Sequence, residues 1–85
     1  MYEVRLRRNT QKVLDKLDET DRSKIISALS SLEVIPRPKG VEKLRGTDLW
    51  RIRKGDYRVV YYIDDKWKKI TIVRIGHRRD IYRNI

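Results

Sequence analysis

The stretch Leu49-Trp-Arg-Ile-Arg-Lys-Gly-Asp-Tyr-Arg-Val-Val-Tyr-Tyr-Ile63 decides the fold. Leu49 to Lys54 alternates apolar and basic residues, Gly55-Asp56 supplies a tight turn, and Tyr57 to Ile63 is rich in β-branched and aromatic residues. This is the pattern of two antiparallel strands joined at a hairpin. Successive side chains of a strand point to opposite faces. Arg51 and Arg53 therefore share one face, and Trp50 and Ile52 share the other. One face is apolar and suited to packing; the other is cationic and suited to a polyanion.

Downstream, Asp64-Asp65-Lys66 turns the chain again. Trp67 to Ile75 continues the meander and breaks at Gly76, and residues 77–85 read as a turn or short helix. Upstream, Lys43 and Arg45 lie in the loop that approaches Leu49. Pro36 and Pro38 stop a helix on which Ile25, Ile26, Leu29 and Leu32 form one apolar face. Thr20 or Asp21 caps it, and the acids of Asp18-Glu-Thr-Asp21 suit the positive end of its dipole. An earlier helix, capped by Asn9 or Thr10, carries Val13, Leu14 and Leu17 as its stripe. Tyr2 to Leu6 alternates weakly and reads as a first strand. The expected architecture is α+β and spans residues 1–85 as a single domain. A small antiparallel sheet of about four strands has an N-terminal helical hairpin on one face and an open cationic face on the other.

Eighty-five residues allow one modest core. The 22 Lys and Arg outnumber the 12 Asp and Glu, for a net charge of +10. Residues 43–85 hold 13 basic and 5 acidic groups, against 9 and 7 in residues 1–42. Such concentration in the β-rich half points to nucleic acid, an acidic protein, or both. With no cysteine, disulfides and thiolate metal sites are excluded; with one histidine, a structural zinc site is not expected, nor is any cofactor. No apolar run approaches the ~20 residues that span a bilayer. Charges stand in residues 1–10 where a signal peptide would be apolar, so the expected setting is the cytoplasm.

If the meander forms, three segments converge. Arg51 and Arg53 leave one strand, Arg58 leaves the next, and His77, Arg78 or Arg79, and Tyr82 follow the last. Guanidinium groups beside an aromatic ring suit RNA, the former holding phosphates and the latter stacking on a splayed base. There is no carboxylate pair in an apolar surround, no nucleophile elbow, no phosphate loop and no metal-ligand cluster. An enzyme built from these parts uses cations. RNA permits that, because its own 2′-OH can attack the adjacent phosphate while positive groups stabilise the added charge.

Lys43-Leu-Arg-Gly46, Gly55-Asp-Tyr-Arg-Val-Val-Tyr61 and Ile75-Gly-His-Arg-Arg-Asp-Ile-Tyr82, in this order and spacing, resemble the RelE family of toxins within the RelE/ParE superfamily. The resemblance covers nearly the whole chain. It implies a ribosome-dependent mRNA endoribonuclease, independent of metal, that cuts the message in the A site and is silenced by a cognate antitoxin in a hetero-oligomer. That antitoxin is expected to carry an acidic, partly disordered segment. Carried across by position, Arg51 and Arg53 match two basic residues that are lysines in the best-known members. Arg58 matches a phosphate-binding arginine, Arg78 (or its neighbour Arg79) a second one, and Tyr82 a carboxy-terminal tyrosine. His77 stands where members carry a lysine or another titratable group. The implied catalytic set is Arg51, Arg53, Arg58, His77, Arg78 and Tyr82, with Lys43, Arg45, Lys54 and Arg79 as RNA contacts. Two other functions suit the same residues: a ParE-type poison of DNA gyrase, and an RNA- or ribosome-binding module without catalysis.

Overall fold

The computed structural model describes residues 1–81. In chain order the elements are β1 (Glu3–Leu6), α1 (Arg8–Lys16), α2 (Glu19–Leu32), β2 (Glu42–Lys43), β3 (Leu49–Lys54), β4 (Tyr57–Asp64) and β5 (Lys69–His77). The strands form one sheet in the order β1-β5-β4-β3-β2. The α+β class and the helical hairpin are as the sequence predicts. The sheet has five strands rather than about four, and it is mixed. β1 runs parallel to β5, with Val4 opposite Ile70 and Leu6 opposite Ile72. The two helices intervene between β1 and the meander, so β1 can lie alongside β5 pointing the same way. The added strand, β2, pairs Glu42 with Arg51 and Lys43 with Trp50. Two residues are too few to show an alternation.

Gly55 makes the β3–β4 turn at φ 58, the left-handed conformation a two-residue hairpin loop needs at its first central position. The helix caps differ from expectation. α1 starts one residue after Arg7, whose side chain makes no cap, so Asn9 and Thr10 lie inside the first turn. At α2, the cap is Asp18, whose Oδ1 accepts the Asp21 amide at 2.8 Å. Thr20 and Asp21 are themselves helical. The helix ends at Leu32, ahead of both prolines.

The core is the helix-side face of the sheet. Ile52, Val59, Tyr61, Ile63, Ile70, Ile72 and Ile75 pack against Leu14, Ile25, Ala28, Leu29 and Leu32. Ala28 takes the place expected for Ile26, which is 47% exposed. No described helix is long and apolar enough to cross a membrane.

A polar clamp ties the segment after α2 to the β4–β5 turn. Arg37 donates to both Asp65 oxygens, at 3.2 and 2.9 Å, and the Tyr2 hydroxyl donates to Oδ1 at 2.6 Å. The Arg37 guanidinium also lies 4.9 Å from the Trp50 ring, and the buried Tyr61 hydroxyl donates to the Pro36 carbonyl at 2.8 Å. The hydrogen bonds from Arg37, and then from Tyr2, hold the Asp65 carboxyl down at about 2. A carboxylate with a depressed folded pKa stabilises above its unfolded pKa, and that stabilisation is lost as pH falls through the folded value. The melting temperature should therefore fall between about pH 4 and pH 2. Asp65→Asn should melt lower at neutral pH and decline less in that window. Parallel melting curves for the two proteins with pH would refute the assignment.

Candidate functional site

The cross-strand register decides which side chains share the face away from the helices. Ile52 pairs with Val59, and Val59 with Ile75; all three are buried on the helix side. One residue along, Arg53 pairs with Arg58 and Arg58 with Gly76, and these take the opposite face. Directly paired residues in an antiparallel ladder stand ~5 Å apart at Cα, so Arg53 and Arg58 are immediate neighbours. Arg51 lies two residues along β3 on the same face, opposite Val60.

Each of these arginines has fixed partners. Arg58 Nη1 donates to the carbonyls of Gly55 at 3.1 Å and Tyr57 at 3.0 Å, which ties the side chain to the hairpin turn. Glu42 on β2 bridges Arg51 and Arg53, meeting the first at one carboxylate oxygen and the second at 3.4 Å with the other. The Arg51 side chain is only 12% exposed, whereas that of Arg53 is 61% exposed. Arg78 joins the group from beyond β5. Its amide donates to the Asp56 carbonyl at 2.7 Å, and its Nε lies 3.8 Å from Asp56 Oδ1. Desolvation, and then the positive charges of Arg53, Arg51 and Arg78, lower the pKa of the Arg58 guanidinium. Like charges packed this closely favour an anion among them.

After β5 the chain turns sharply. The His77 carbonyl accepts the amides of Asp80 at 2.8 Å and Ile81 at 3.0 Å, and His77 Nδ1 accepts the Arg79 amide at 3.2 Å. This turn brings Ile81 over Gly76, where an added Cβ would sit 3.1 Å from Ile81 Cδ1. The open face is thus covered at that point, and Ile81 is buried there.

Of the expected site residues, Arg51, Arg53, Arg58 and Arg78 come together. His77 does not stand among them. It pairs with Tyr57, its ring edge-on at 5.7 Å, at the rim of the helix side. Lys54 also pairs with Tyr57 and lies over α2, lining a cleft with Ser23, Lys24 and Ser27. Lys43 is on the helix-side edge, 5.9 Å from the Trp50 ring. Arg45 is in the turn at the opposite end of β3 from Gly55. Arg79 is exposed beside Arg78. Tyr82 lies outside the described residues.

The sequence reading omitted three features of this face. Glu42 was invisible because β2 is so short. Arg74 shares the face, paired with Val60. Arg7 lines a shallow depression with Leu49, Val60, Val73 and Arg74, which extends the cationic surface along the sheet.

Residues 4–82 match the family model described as the ParE toxin of type II toxin-antitoxin system, parDE. The chain belongs to this family of RelE/ParE toxins. Among solved structures, it is similar to the archaeal RelE-RelB complex from Pyrococcus horikoshii. Identity is 34% over 93% of this chain and 97% of that one, with a TM-score of 0.84. The intact E. coli RelBE toxin-antitoxin complex matches at 26% identity, over 91% of this chain and 96% of that one, with a TM-score of 0.80. Toxin RelG of Mycobacterium tuberculosis is 46% identical over 41 residues, which are 48% of this chain and 45% of the relative. The match thus spans less than half the length of that curated relative.

Proposed function

We propose that this toxin is an mRNA endoribonuclease that acts on the ribosome and cleaves by attack of the substrate's own 2′-OH. The observation that carries this reading is the gathering of Arg51, Arg53, Arg58 and Arg78 on one face, with Glu42 bridging Arg51 and Arg53 and Asp56 beside Arg78. Residues 43–85, which hold all four, carry 13 basic groups against 5 acidic ones, a surplus of positive charge. Attack of a 2′-oxygen on the adjacent phosphorus puts additional negative charge on the non-bridging oxygens. Fixed cations already in place stabilise that charge without reorganisation. Guanidiniums hardly ever lose their protons, so Arg51 and Arg53 serve as charge donors rather than bases. The proton from the 2′-OH goes to another group. His77, whose ring stands on the helix-side rim and not among the arginines, takes that role where the strand passes over the end of the sheet at Arg78, and Tyr82 stacks on a base beside the cut. The P–O5′ bond breaks as the 5′-oxygen takes a proton from water or a ribosomal group, and the other product ends in a 2′,3′-cyclic phosphate or its hydrolysed 3′-phosphate. No step requires a metal ion.

The partner that silences the toxin is an antitoxin, as in the RelE-RelB and RelBE complexes the chain resembles. The surplus of positive charge suits an acidic segment that folds over the sheet.

A second reading is favoured by the description of the matching family model, ParE. It is a toxin that blocks DNA gyrase by protein contact. Primer extension on cellular messages after induction separates the two. Cuts at defined positions within translated codons are expected. Intact messages accompanied by a DNA-damage response would replace the nuclease with the gyrase poison. Intact messages without that response would leave a binding module.

A further inference from the structure

The end of the sheet remote from the arginines carries a feature that cleavage does not use. Asp65-Lys-Trp-Lys68 joins β4 to β5. Trp67 is 67% exposed, so its indole covers little of the sheet edge. Lys66, Lys68 and Lys69 flank it. Lys66 Nζ lies 5.6 Å from the Trp67 ring, and Lys68 Nζ lies 5.2 Å from the Tyr2 ring. Both acids of the turn are engaged within the protein. Asp65 is clamped by Arg37 and Tyr2, and Asp64 Oδ1 accepts the Trp67 amide at 3.0 Å. Lys68 adopts φ 52, a left-handed conformation that strains a non-glycine residue. The turn is held in shape with a large ring exposed among cations.

We propose that this turn is a second RNA contact, in which Trp67 stacks on an unpaired base and Lys66, Lys68 and Lys69 hold the neighbouring phosphates. An exposed aromatic with flanking cations is the arrangement by which single strands are held without sequence preference. The choice of RNA as partner rests on the reading of the arginine face; the build of the turn does not. From Tyr57 to Asp64 the strand runs for about 23 Å. The two sites therefore engage different stretches of RNA, either a distant part of the message or an unpaired loop of ribosomal RNA. An indole with lysines also suits an anionic lipid surface. One exposed ring on a tight turn buries little in lipid.

The test is a fluorescence titration of the full chain. The probe is a 2′-O-methyl RNA of mixed sequence, which cannot be cut, and vacant bacterial ribosomes are assayed in parallel by co-sedimentation. The chain has two tryptophans, so Trp67→Phe leaves Trp50 as the reference emitter. RNA should quench the parent protein and leave Trp67→Phe unquenched, at unchanged melting temperature. Trp67→Ala should weaken binding at this site by about 5- to 150-fold, and Trp67→Phe should retain most of the affinity. Replacing the three lysines with alanine should reduce the salt slope by about 2. Quenching by the oligonucleotide assigns the contact to a single strand such as the message. Trp67-dependent co-sedimentation without that quenching assigns it to ribosomal RNA. Quenching by phosphatidylglycerol vesicles but by neither RNA probe overturns the proposal, as does indifference to all three. Arg58→Ala should leave the quench intact, so failure of the cleavage reading and failure of this one are separately visible.

Discussion

Arg58→Ala is expected to lower message cleavage by roughly 100- to 1,000-fold, the usual cost of removing one donor aimed at developing charge. Arg58 is the middle member of the cluster, paired across the hairpin with Arg53 and flanked on the other side by Gly76, which has no side chain to replace it. Its guanidinium is pre-set by two backbone carbonyls of the turn. The fold should survive, because Arg58 packs on the outer face and takes no part in the core. An antitoxin that covers a broad surface should still bind. The measurement is single-turnover cleavage on programmed ribosomes, with circular dichroism melting as a control. A cleavage rate within a few-fold of the parent would remove Arg58 from the site and with it the central argument for the nuclease.

His77→Ala is expected to reduce the cleavage step by about 100- to 10,000-fold while RNA binding changes little, as loss of a proton-transferring group does. The structure gives His77 a second task, since its Nδ1 accepts the Arg79 amide and its carbonyl accepts two more. Losing the ring therefore also loosens the turn that carries Arg78. His77→Asn separates the two tasks. A carboxamide can accept the Arg79 amide but cannot carry a proton at neutral pH. Asparagine should be as inactive as alanine. Recovery of activity by asparagine would make His77 a positioning residue and would pass proton transfer to water, a lysine or a ribosomal group.

The arginine face was legible where alternation is unbroken. In β3, Trp50, Arg51, Ile52 and Arg53 take the faces their order dictates, and Gly55 adopts the positive φ that its place in the hairpin requires. The reading failed in β5. Strict alternation from Ile70 and Ile72 sends Arg74 inward and His77 outward. The register shift after Val60 instead leaves Val73 as an extra residue, with Tyr61 opposite Ile72 and Val60 opposite Arg74. A bulge of this kind reverses the faces of everything beyond it. Arg74 and Gly76 thus reach the arginine face, Ile75 enters the core, and His77 turns to the rim beside Tyr57. The buried set Ile70, Ile72 and Ile75 carries the trace of this, a step of two followed by a step of three. The helix caps were misread by a few residues for a simpler reason. Asp18 and Asp21 are both good cap residues, and only the backbone shows which one precedes the first helical turn.

Glu42, held by Arg51 and Arg53, gives the site a resident counterion. It is attached to the same chain, so its effective concentration does not fall when the protein is diluted. A small anion in solution offers little that this carboxylate does not already supply, and it must displace a tethered competitor to bind. A polynucleotide is different, because it presents several phosphates at fixed intervals and can satisfy the other guanidiniums while exchanging for the carboxylate at these two. A lone phosphate thus gains less at these two guanidiniums than a strand does. The charge of the face becomes available to a ligand that arrives as a strand.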